Sequence, residues 1–245
     1  MIEVIAVGDL HAEFAKLWRL LRRAGAADEG FLPTPRILEG NLRVVLLGDL
    51  VHPKRLEGYQ NLTGLESYDP LDPQHLKLAA RAQIRELSRL RRYVEAAPGR
   101  VVVLMGNHDY ALLDGEMILG NQTLEHREFH PELGGLALPE EIRAWIETFP
   151  YELTLYGVNF AHVGPAPWLQ SYDALFYASR EAKEWWQRNP DYVQRMGYRF
   201  GIYGHTPLGS IVINENLALI DAFDRGEYLT LRLSEETLDL EPCSL

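Results

Sequence analysis

The chain has 245 residues, of which 47% are hydrophobic and 24% charged, so it can bury the core of one large globular domain. Its net charge of −11 argues against nonspecific binding to duplex nucleic acid, which requires a broad cationic face. The negative charge does not exclude small phosphorylated substrates, because bound cations can supply local positive charge.

No apolar run approaches the roughly 20 residues of a membrane span, and the first residues show no secretory signal pattern. We therefore expect no membrane partner. Cys243 is the only cysteine, so no disulfide can form within the chain. These features together predict a cytoplasmic protein.

Three short apolar runs in the first half predict buried strands: Ile2–Val7, Leu42–Leu47 and Val101–Met105. Their nearly continuous apolar character is typical of strands that are covered on both faces. An amphipathic helix is predicted after the first run, and a longer one from Pro73 to Ala96. Residues Pro53 to Pro73 are predicted to form a long irregular loop.

The second half is predicted to be rich in strands: Glu152–Leu155, Val158–His162, Phe200–Tyr203, Ile211–Asn214, Leu217–Ala222 and Tyr228–Leu233. Shorter helices are expected near Pro139–Thr148 and Tyr172–Gln187. Hairpin turns are predicted at three places: Gly157, Asn214-Glu215-Asn216 and Asp224-Arg225-Gly226. The pattern predicts an α/β (α+β) fold with two sheet layers flanked by helices, in a single domain over residues 1–245.

The predicted strands end in polar clusters that offer metal ligands. The candidates are Asp9 and His11 in GDLH, Asp49 in GDL, Asn107 in GNHD, His162 in AHVG and His205 in GHTP. Open α/β sheets place their sites at the carboxyl ends of strands. Carboxylate, amide and imidazole ligands suit Mn²⁺, Fe²⁺ or Zn²⁺, and two such ions about 3.5–4 Å apart can clamp a phosphoryl group and generate hydroxide from water.

Each candidate taken alone has a simpler interpretation. Asp9 and Asp49 could cap helices, and Asn107 could hold a left-handed turn. His162 could be a core histidine, and His205 a turn residue before a proline. The ordered set, with each member directly after an apolar run, favours one shared metal site.

Two other groups of residues are given no role in the site. His126 and His130 are spaced i, i+4, but the glutamate of a zinc-protease motif is absent, so we predict surface positions for both. Several aromatic residues near position 180 could stack on a base but are predicted to pack a helix: Tyr172, Tyr177, Trp185, Trp186 and Tyr192.

The ordered motifs GDLH, GDL, GNHD, AHVG and GHTP resemble those of the calcineurin-like metallophosphoesterases, from Asp9 to about Leu233. The resemblance implies a β-sandwich of two mixed sheets flanked by helices. It also implies hydrolysis of a phosphomonoester or nucleotide polyphosphate by in-line attack of a metal-bridging hydroxide. Two divalent metal ions are implied as cofactors, with manganese expected and iron or zinc as alternatives.

The resemblance also implies a role for each motif residue. Asp9 and His11 would bind the first metal and Asp49 would bridge both. Asn107, His162 and His205 would bind the second metal, as a set from three different motifs. His108 resembles the non-ligand histidine that contacts the phosphate and protonates the leaving oxygen, which is the role of a general acid.

Two departures from the family pattern refine the resemblance. Pro207 takes the position of the second histidine of G-H-x-H, as in the branch of protein phosphatases and dinucleoside tetraphosphatases. After Asp49, that branch continues with Asp-Arg-Gly, where this chain has His52-Pro53-Lys54. The missing aspartate would pair with the acid histidine, and the missing arginine would grip the phosphate.

Other residues could replace the missing pair, although each candidate cation could also be an ordinary solvated surface charge. We hypothesise that His52 contacts substrate or pairs with His108. Asn107 and Arg55 are the other expected substrate contacts. Further candidates to replace the arginine are Lys54, Arg195 and Arg199.

Two alternative functions stay open beside hydrolysis of a small phosphorylated substrate or nucleotide. One is a non-catalytic binding module on the same fold, which the lost Asp-Arg pair favours. The other is a phosphodiesterase or nuclease, which Pro207 and the acidic charge balance disfavour. A phosphoprotein is a further candidate substrate, and the sequence indicates no oligomeric state.

Overall fold

The computed structural model describes residues 1–121, 124–164 and 188–245. The helix predicted at Tyr172–Gln187, and with it most of the aromatic group near position 180, lies outside these residues. The helices are α1 (Phe14–Arg23), α2 (Pro35–Leu38), α3 (Leu56–Thr63), α4 (Pro73–Glu95), α5 (Asn107–Asp114), α6 (Glu140–Ile146) and α7 (Tyr192–Arg195).

The strands of the first half are β1 (Ile2–Val7), β2 (Leu42–Leu46), β3 (Val101–Val103), β4 (Gly120–Asn121) and β5 (Leu124–Glu125). Those of the second half are β6 (Glu152–Leu155), β7 (Val158–Ala161), β8 (Phe200–Tyr203), β9 (Val212–Ile213), β10 (Leu217–Leu219), β11 (Glu227–Leu233) and β12 (Leu238–Ser244). All nine predicted strands are present; three have the predicted ends, and the ends of the others are shifted by one to three residues.

Two five-stranded mixed sheets form the centre of the fold. The first has the order β12-β11-β1-β2-β3, in which β1, β2 and β3 are parallel and β11 and β12 are antiparallel to their neighbours. The second has the order β6-β7-β8-β10-β9, in which β7, β8 and β10 are parallel. The predicted fold class, two mixed sheets flanked by helices, is confirmed.

The near-continuous apolar character of β1 has a direct structural cause. Val4 and Ala6 pack between the two sheets, against residues such as Phe160 and Ile202 of the second sheet. Ile5 and Val7 belong instead to the core between the first sheet and the helices. Because successive side chains of a strand point to opposite faces, a strand buried on both faces must be apolar at every position.

The prediction of a long irregular loop from Pro53 to Pro73 is wrong, because α3 lies within it. Tyr59 is the buried residue of this helix, and Gly64 ends it in a left-handed conformation, with φ of 75°. The segment has little apolar periodicity of its own, so the helix depends on packing against α4.

Two of the three predicted hairpin turns are confirmed. Tyr156 and Gly157, with φ values of 49° and 76°, connect β6 to its antiparallel partner β7. Asn214 to Asn216 connect β9 to β10. The turn predicted at Asp224–Gly226 is not a hairpin, because β10 pairs in the second sheet and β11 in the first, so this segment crosses between sheets.

Strand β12 was not predicted. It lies at the edge of the first sheet, where one side of the strand has no neighbour, and its sequence LDLEPCS contains charged residues and a proline. Such residues are typical of edge strands but weaken the apolar signal on which strand prediction depends. Among the described residues, no helix is both long and apolar enough to cross a membrane.

Substitution of Leu231 by alanine tests the core between the sheets. Leu231 is 1% exposed, so we expect Leu231→Ala to lower the free energy of unfolding by about 2–5 kcal/mol. The same change at Leu71, which is 65% exposed, is the control and should cost less than about 0.5 kcal/mol. Urea denaturation with chelator present measures both; equal losses would contradict the assignment of this core.

Candidate metal centre

The predicted ligands come together because the strands that precede them are neighbours. Parallel β1, β2 and β3 end at one edge of the first sheet, and parallel β7 and β8 end at the corresponding edge of the second. The loop after β1 is bonded to the loop after β2, with the His11 N–H donating to the Asp49 carbonyl at 2.7 Å. Ligand candidates from both sheets therefore face one pocket.

Glycine is required at two of these strand ends because side chains approach the backbone closely. A Cβ on Gly204 would lie 2.3 Å from Oδ1 of Asp9. A Cβ on Gly106 would lie 2.3 Å from the backbone nitrogen of Asp49. Neither contact is sterically possible, so a larger residue at 204 would push apart loops of the two sheets, and one at 106 would push apart the loops after β2 and β3.

Three of the candidate ligands have left-handed backbone conformations. The φ values are 43° for His11, 50° for Asp49 and 60° for His205. Such conformations cost about 1–3 kcal/mol each in non-glycine residues and are often found at functional sites. Hydrogen bonds hold them, such as that from the His205 N–H to Oδ1 of Asp9 at 2.9 Å.

The donor atoms form two groups that share one carboxylate. In the first, Nε2 of His11 lies 3.7 Å from Oδ2 of Asp9 and 3.6 Å from Oδ2 of Asp49. In the second, Nε2 of His162 lies 3.5 Å from the same Asp49 oxygen, 2.9 Å from Oδ1 of Asn107 and 3.2 Å from Nδ1 of His205. The structure thus brings all six predicted ligands together.

The chemistry of this donor set fits divalent cations. Nδ1 of His11 lies 2.9 Å from the His52 carbonyl and Nδ1 of His162 lies 2.8 Å from the Leu47 carbonyl. A carbonyl can only accept, so each Nδ1 carries a proton and each ring turns its Nε2 toward the neighbouring oxygens. Buried carboxylates and imidazole nitrogens that face one pocket are ligands that divalent cations such as manganese, iron and zinc accept.

The two buried carboxylates have opposite pKa shifts. Burial by itself raises the pKa of Asp9, but His162 and a hydrogen bond from His11 bring it far below its usual range. Burial, together with the charge of Asp9, raises the pKa of Asp49 well above its usual value. Two adjacent carboxylates cannot both ionise easily without compensating positive charge.

His108 lies beside the first donor group and is partly exposed to solvent. Its Nε2 is 4.0 Å from Oδ2 of Asp49, and 14% of its side chain is exposed. Its N–H donates to Oδ1 of Asp49 at 2.8 Å, and its Nδ1 lies 2.9 Å from Nδ1 of His52. Burial, with His11 and His52 nearby, lowers the pKa of His108 well below its usual value.

His52 pairs with His108, as hypothesised, and its ring is almost fully buried. The ring stacks on His126 with a centroid distance of 4.6 Å and an interplanar angle of 6°. The prediction that His126 and His130 are surface residues is wrong, since they are 4% and 6% exposed. Their polar sequence context concealed their burial, which comes from packing against distant residues such as Tyr59.

The candidates for the phosphate-gripping cation have different locations. Lys54 and Arg55 line a cavity of about 310 Å³ that His11 also lines. Arg55 is 72% exposed and lies 3.9 Å from a carboxylate oxygen of Asp224. Arg199 binds carbonyls in the turn between β11 and β12, and it precedes β8, whereas His205 follows β8. Arg199 is therefore at the opposite end of the sheet from the ligands.

Asp109 and Asp221 were not singled out from the sequence. Asp109 accepts hydrogen bonds from the N–H groups of Leu50 and Gly106, at 2.9 and 3.1 Å, and so ties α5 to the loop after β2. A carboxylate three residues after a helix N-cap was a usable signal. Asp221, after β10, forms an ion pair with Lys54. Burial and the charge of Asp9 raise its pKa to about 6.

Lys54 is thereby held beside the ligands. Burial by itself would lower its pKa, but the carboxylates of Asp9 and Asp221 raise it. Lys54 is therefore a cation at neutral pH. Arg195, on the exposed side of α7, has no contact with this group among the described residues.

Comparison with solved structures shows the same fold. The chain is similar to a cold-active protein-tyrosine phosphatase of Shewanella sp. (TM-score 0.60, 16% identity, 98% of this chain and 80% of that chain covered). It is also similar to a protein serine/threonine phosphatase from Saccharomyces cerevisiae (TM-score 0.55, 12% identity, coverage 100% and 80%). A metallophosphoesterase from Sphaerobacter thermophilus has a TM-score of 0.50 at 16% identity, with coverage of 99% and 89%.

At these identities the structural likeness shows the fold alone, and among curated proteins none matches the sequence significantly. The sequence model of the calcineurin-like phosphoesterases, however, matches residues 2–232, which is nearly the whole chain. That span contains the ends of β1, β2, β3, β7 and β8, where the ligand groups lie. The chain therefore belongs to the calcineurin-like phosphoesterase family of metal-dependent hydrolases.

Proposed function

We propose that this protein is a dinuclear phosphoesterase that hydrolyses a phosphomonoester or a nucleotide polyphosphate. The position of Asp49 carries the proposal. Its Oδ2 lies 3.6 Å from Nε2 of His11 and 3.5 Å from Nε2 of His162, between the two donor groups. A carboxylate in this position can bridge two cations, and a pair of cations is the recurrent arrangement for in-line displacement at phosphorus.

The proposed ligand sets follow the two donor groups. Asp9 and His11 would hold the first ion and Asp49 both. Asn107, His162 and His205 would hold the second. Mixed oxygen and nitrogen ligands without thiolate support manganese, with iron or zinc as alternatives. When bound, the two cations supply hydroxide at neutral pH and offset charge on the phosphoryl oxygens.

His108 is proposed to transfer a proton from Nε2 to the leaving oxygen. This nitrogen faces the pocket, while Nδ1 is engaged by His52, so the ring presents one nitrogen to substrate. General acid catalysis requires this kind of placement within reach of the leaving atom. With a phosphomonoester, water adds to phosphorus, the ester P–O bond breaks, and the products are an alcohol and inorganic phosphate; with a polyphosphate, the proton goes to the oxygen of the departing nucleotide.

Substrate positioning is assigned to residues beside the metal centre. The Lys54 ammonium group, held between Asp9 and Asp221, is a permanent positive charge in a protein whose net charge is −11. Arg55 lies further out on the same cavity wall, and the Asn107 amide is at the second donor group. We propose that Lys54 and Arg55 orient an anionic substrate that the acidic surface would otherwise repel.

The proposal is tested by hydrolysis with Mn²⁺ and with chelator, measured as phosphate release from monoesters, nucleotide products from the polyphosphate and phenol release from the diester. The substrates are an aryl phosphomonoester, phosphotyrosine and phosphoserine peptides, a dinucleoside polyphosphate and a bis-aryl diester. We expect metal-dependent turnover of monoesters or anhydrides above that of the diester. Activity that survives complete metal removal would contradict the mechanism, and turnover of none of the substrates by metal-loaded protein would favour a binding module.

Replacement of His108 by alanine should lower kcat about 10²- to 10⁴-fold, because the proton donor for the leaving oxygen is lost. Metal content, measured by elemental analysis, should stay at the wild-type level. His75→Ala is the matched control, since His75 bonds the N–H of Asp69 away from the pocket. A His108→Ala enzyme with wild-type kcat would show that another group protonates the leaving oxygen.

Replacement of Asp49 by asparagine should reduce occupancy of both metal positions, because the proposed bridge loses its charge. Elemental analysis after gel filtration measures the metal content per chain. Asp239→Asn, at an exposed position on β12, is the control and should bind metal as the wild type does. Two tightly held ions in the Asp49→Asn protein would contradict the bridging role.

A further inference from the structure

A buried polar network lies directly behind the proposed metal centre. It consists of Tyr59, Gln83, His126 and Glu128, none of which is more than 4% exposed. These residues belong to α3, to α4 and to the segment after β5. We propose that this buried polar network, acting through His52, positions both the acid His108 and the metal-ligand candidate His11. This inference rests on the proposed function for its catalytic meaning, and on the geometry for the contacts themselves.

His52 contacts both halves of the reaction machinery. Its carbonyl accepts a hydrogen bond from Nδ1 of His11 at 2.9 Å, which keeps Nε2 of that ring facing the carboxylates. Its own Nδ1 lies 2.9 Å from Nδ1 of His108, which keeps Nε2 of that ring facing the pocket. One residue therefore sets the orientation of a metal ligand and of the proton donor.

His52 cannot hold this arrangement by itself. Its φ of 65° is unfavourable for a residue with a large side chain, so its surroundings must maintain it. An imidazole, unlike a carboxylate, forms hydrogen bonds only at two ring nitrogens and in the ring plane. A rotation of the His52 ring would therefore break its contact with His108.

The buried polar network holds His52 at two points. The His52 N–H donates to Oε1 of Gln83 at 2.8 Å, which fixes the backbone. The ring of His52 lies flat on the ring of His126, which fixes the side chain. Movement of His52 must therefore disturb Gln83, His126 or both.

The hydrogen bonds of the network run in series from the His52 backbone to His126, and the stack of His126 on His52 closes them into a circuit. Gln83 accepts through Oε1 and donates through Nε2 to Oε1 of Glu128 at 2.9 Å. The Tyr59 hydroxyl donates to the same Glu128 oxygen at 2.6 Å, so it must accept from Nδ1 of His126, at 2.8 Å. Burial, together with His11, lowers the pKa of His126 to about 3, which keeps its ring neutral.

The test removes one hydroxyl from the circuit while keeping the aromatic ring. In Tyr59→Phe, His126 and Glu128 lose their common partner, although the ring can still stack on Tyr68, 4.4 Å away between centroids. We expect kcat for an aryl phosphate to fall about 10-fold, as is usual when partners behind a site are lost. KM and the content of both metals should stay at wild-type values.

Tyr93→Phe is the matched control for the cost of losing a buried hydroxyl. Tyr93 is fully buried and donates to the Ala26 carbonyl at 3.0 Å, with no contact to His52. The Tm of the Tyr93→Phe protein should fall about as much as that of Tyr59→Phe, while its kcat stays at the wild-type value. If Tyr59→Phe loses Tm but keeps wild-type kcat, the network is structural only and the proposal fails.

A second readout does not depend on activity. In metal-free protein labelled with ¹⁵N-histidine, Tyr59→Phe should shift the Nδ1 resonances of His11, His52 and His108, and Tyr93→Phe should not. Unchanged resonances in Tyr59→Phe would overturn the proposal even if kcat fell. Should the wild type hydrolyse none of the substrates, the proposed function fails, whereas the resonance shifts still decide whether the network positions the two histidines.

A second variant covers the case in which Tyr59→Phe does not fold. His126→Phe keeps an aromatic face beneath His52, whereas His126→Leu removes it. If stacking orients His52, the phenylalanine variant should retain a His108 resonance nearer to that of the wild type than the leucine variant does. Equal displacement of the His108 resonance in both variants would contradict a positioning role for the stack.

Discussion

The burial of two carboxylates in one pocket is the constraint on which the rest of the site depends. Asp9 and Asp49 are each 2% exposed, and both lie within 3.7 Å of Nε2 of His11. Positive charge must compensate them, and the Lys54 ammonium group supplies part of it beside Asp9. Three features bring the ligand side chains into this one pocket. They are the glycines at the strand ends, the left-handed conformations of the ligand residues and the carbonyls that orient the histidines.

The same constraint explains how the chain differs from the family pattern that its motifs resemble. An imidazole, that of His52, pairs with His108 where a carboxylate was expected, so no third acid is added to a pocket that already holds two. The side-chain cation beside Asp9 is Lys54, which is itself held by Asp221. The His52 ring needs other contacts to orient it than a carboxylate would, and the buried residues Gln83 and His126 are in contact with His52.

Much of the fold could be predicted because its signals are local. The apolar runs of β1 and β2 predict strands buried on both faces, and both strands lie inside the first sheet rather than at its edge. The errors occur where local signals are weak. Helix α3 has one buried side chain, β12 is an edge strand with charged residues, and the segment at Asp224–Gly226 looks like a hairpin although it crosses between sheets.

The sequence by itself determined which ligand types follow which strands, because a strand end and the residues after it are neighbours in the chain. Only the tertiary structure decided which of these side chains meet, and which polar residues are buried behind them. His52 and His108 are 56 residues apart in sequence, and Tyr59 and His126 are 67 apart. Contacts over such separations leave no periodic pattern, since they depend on how the sheets and helices pack.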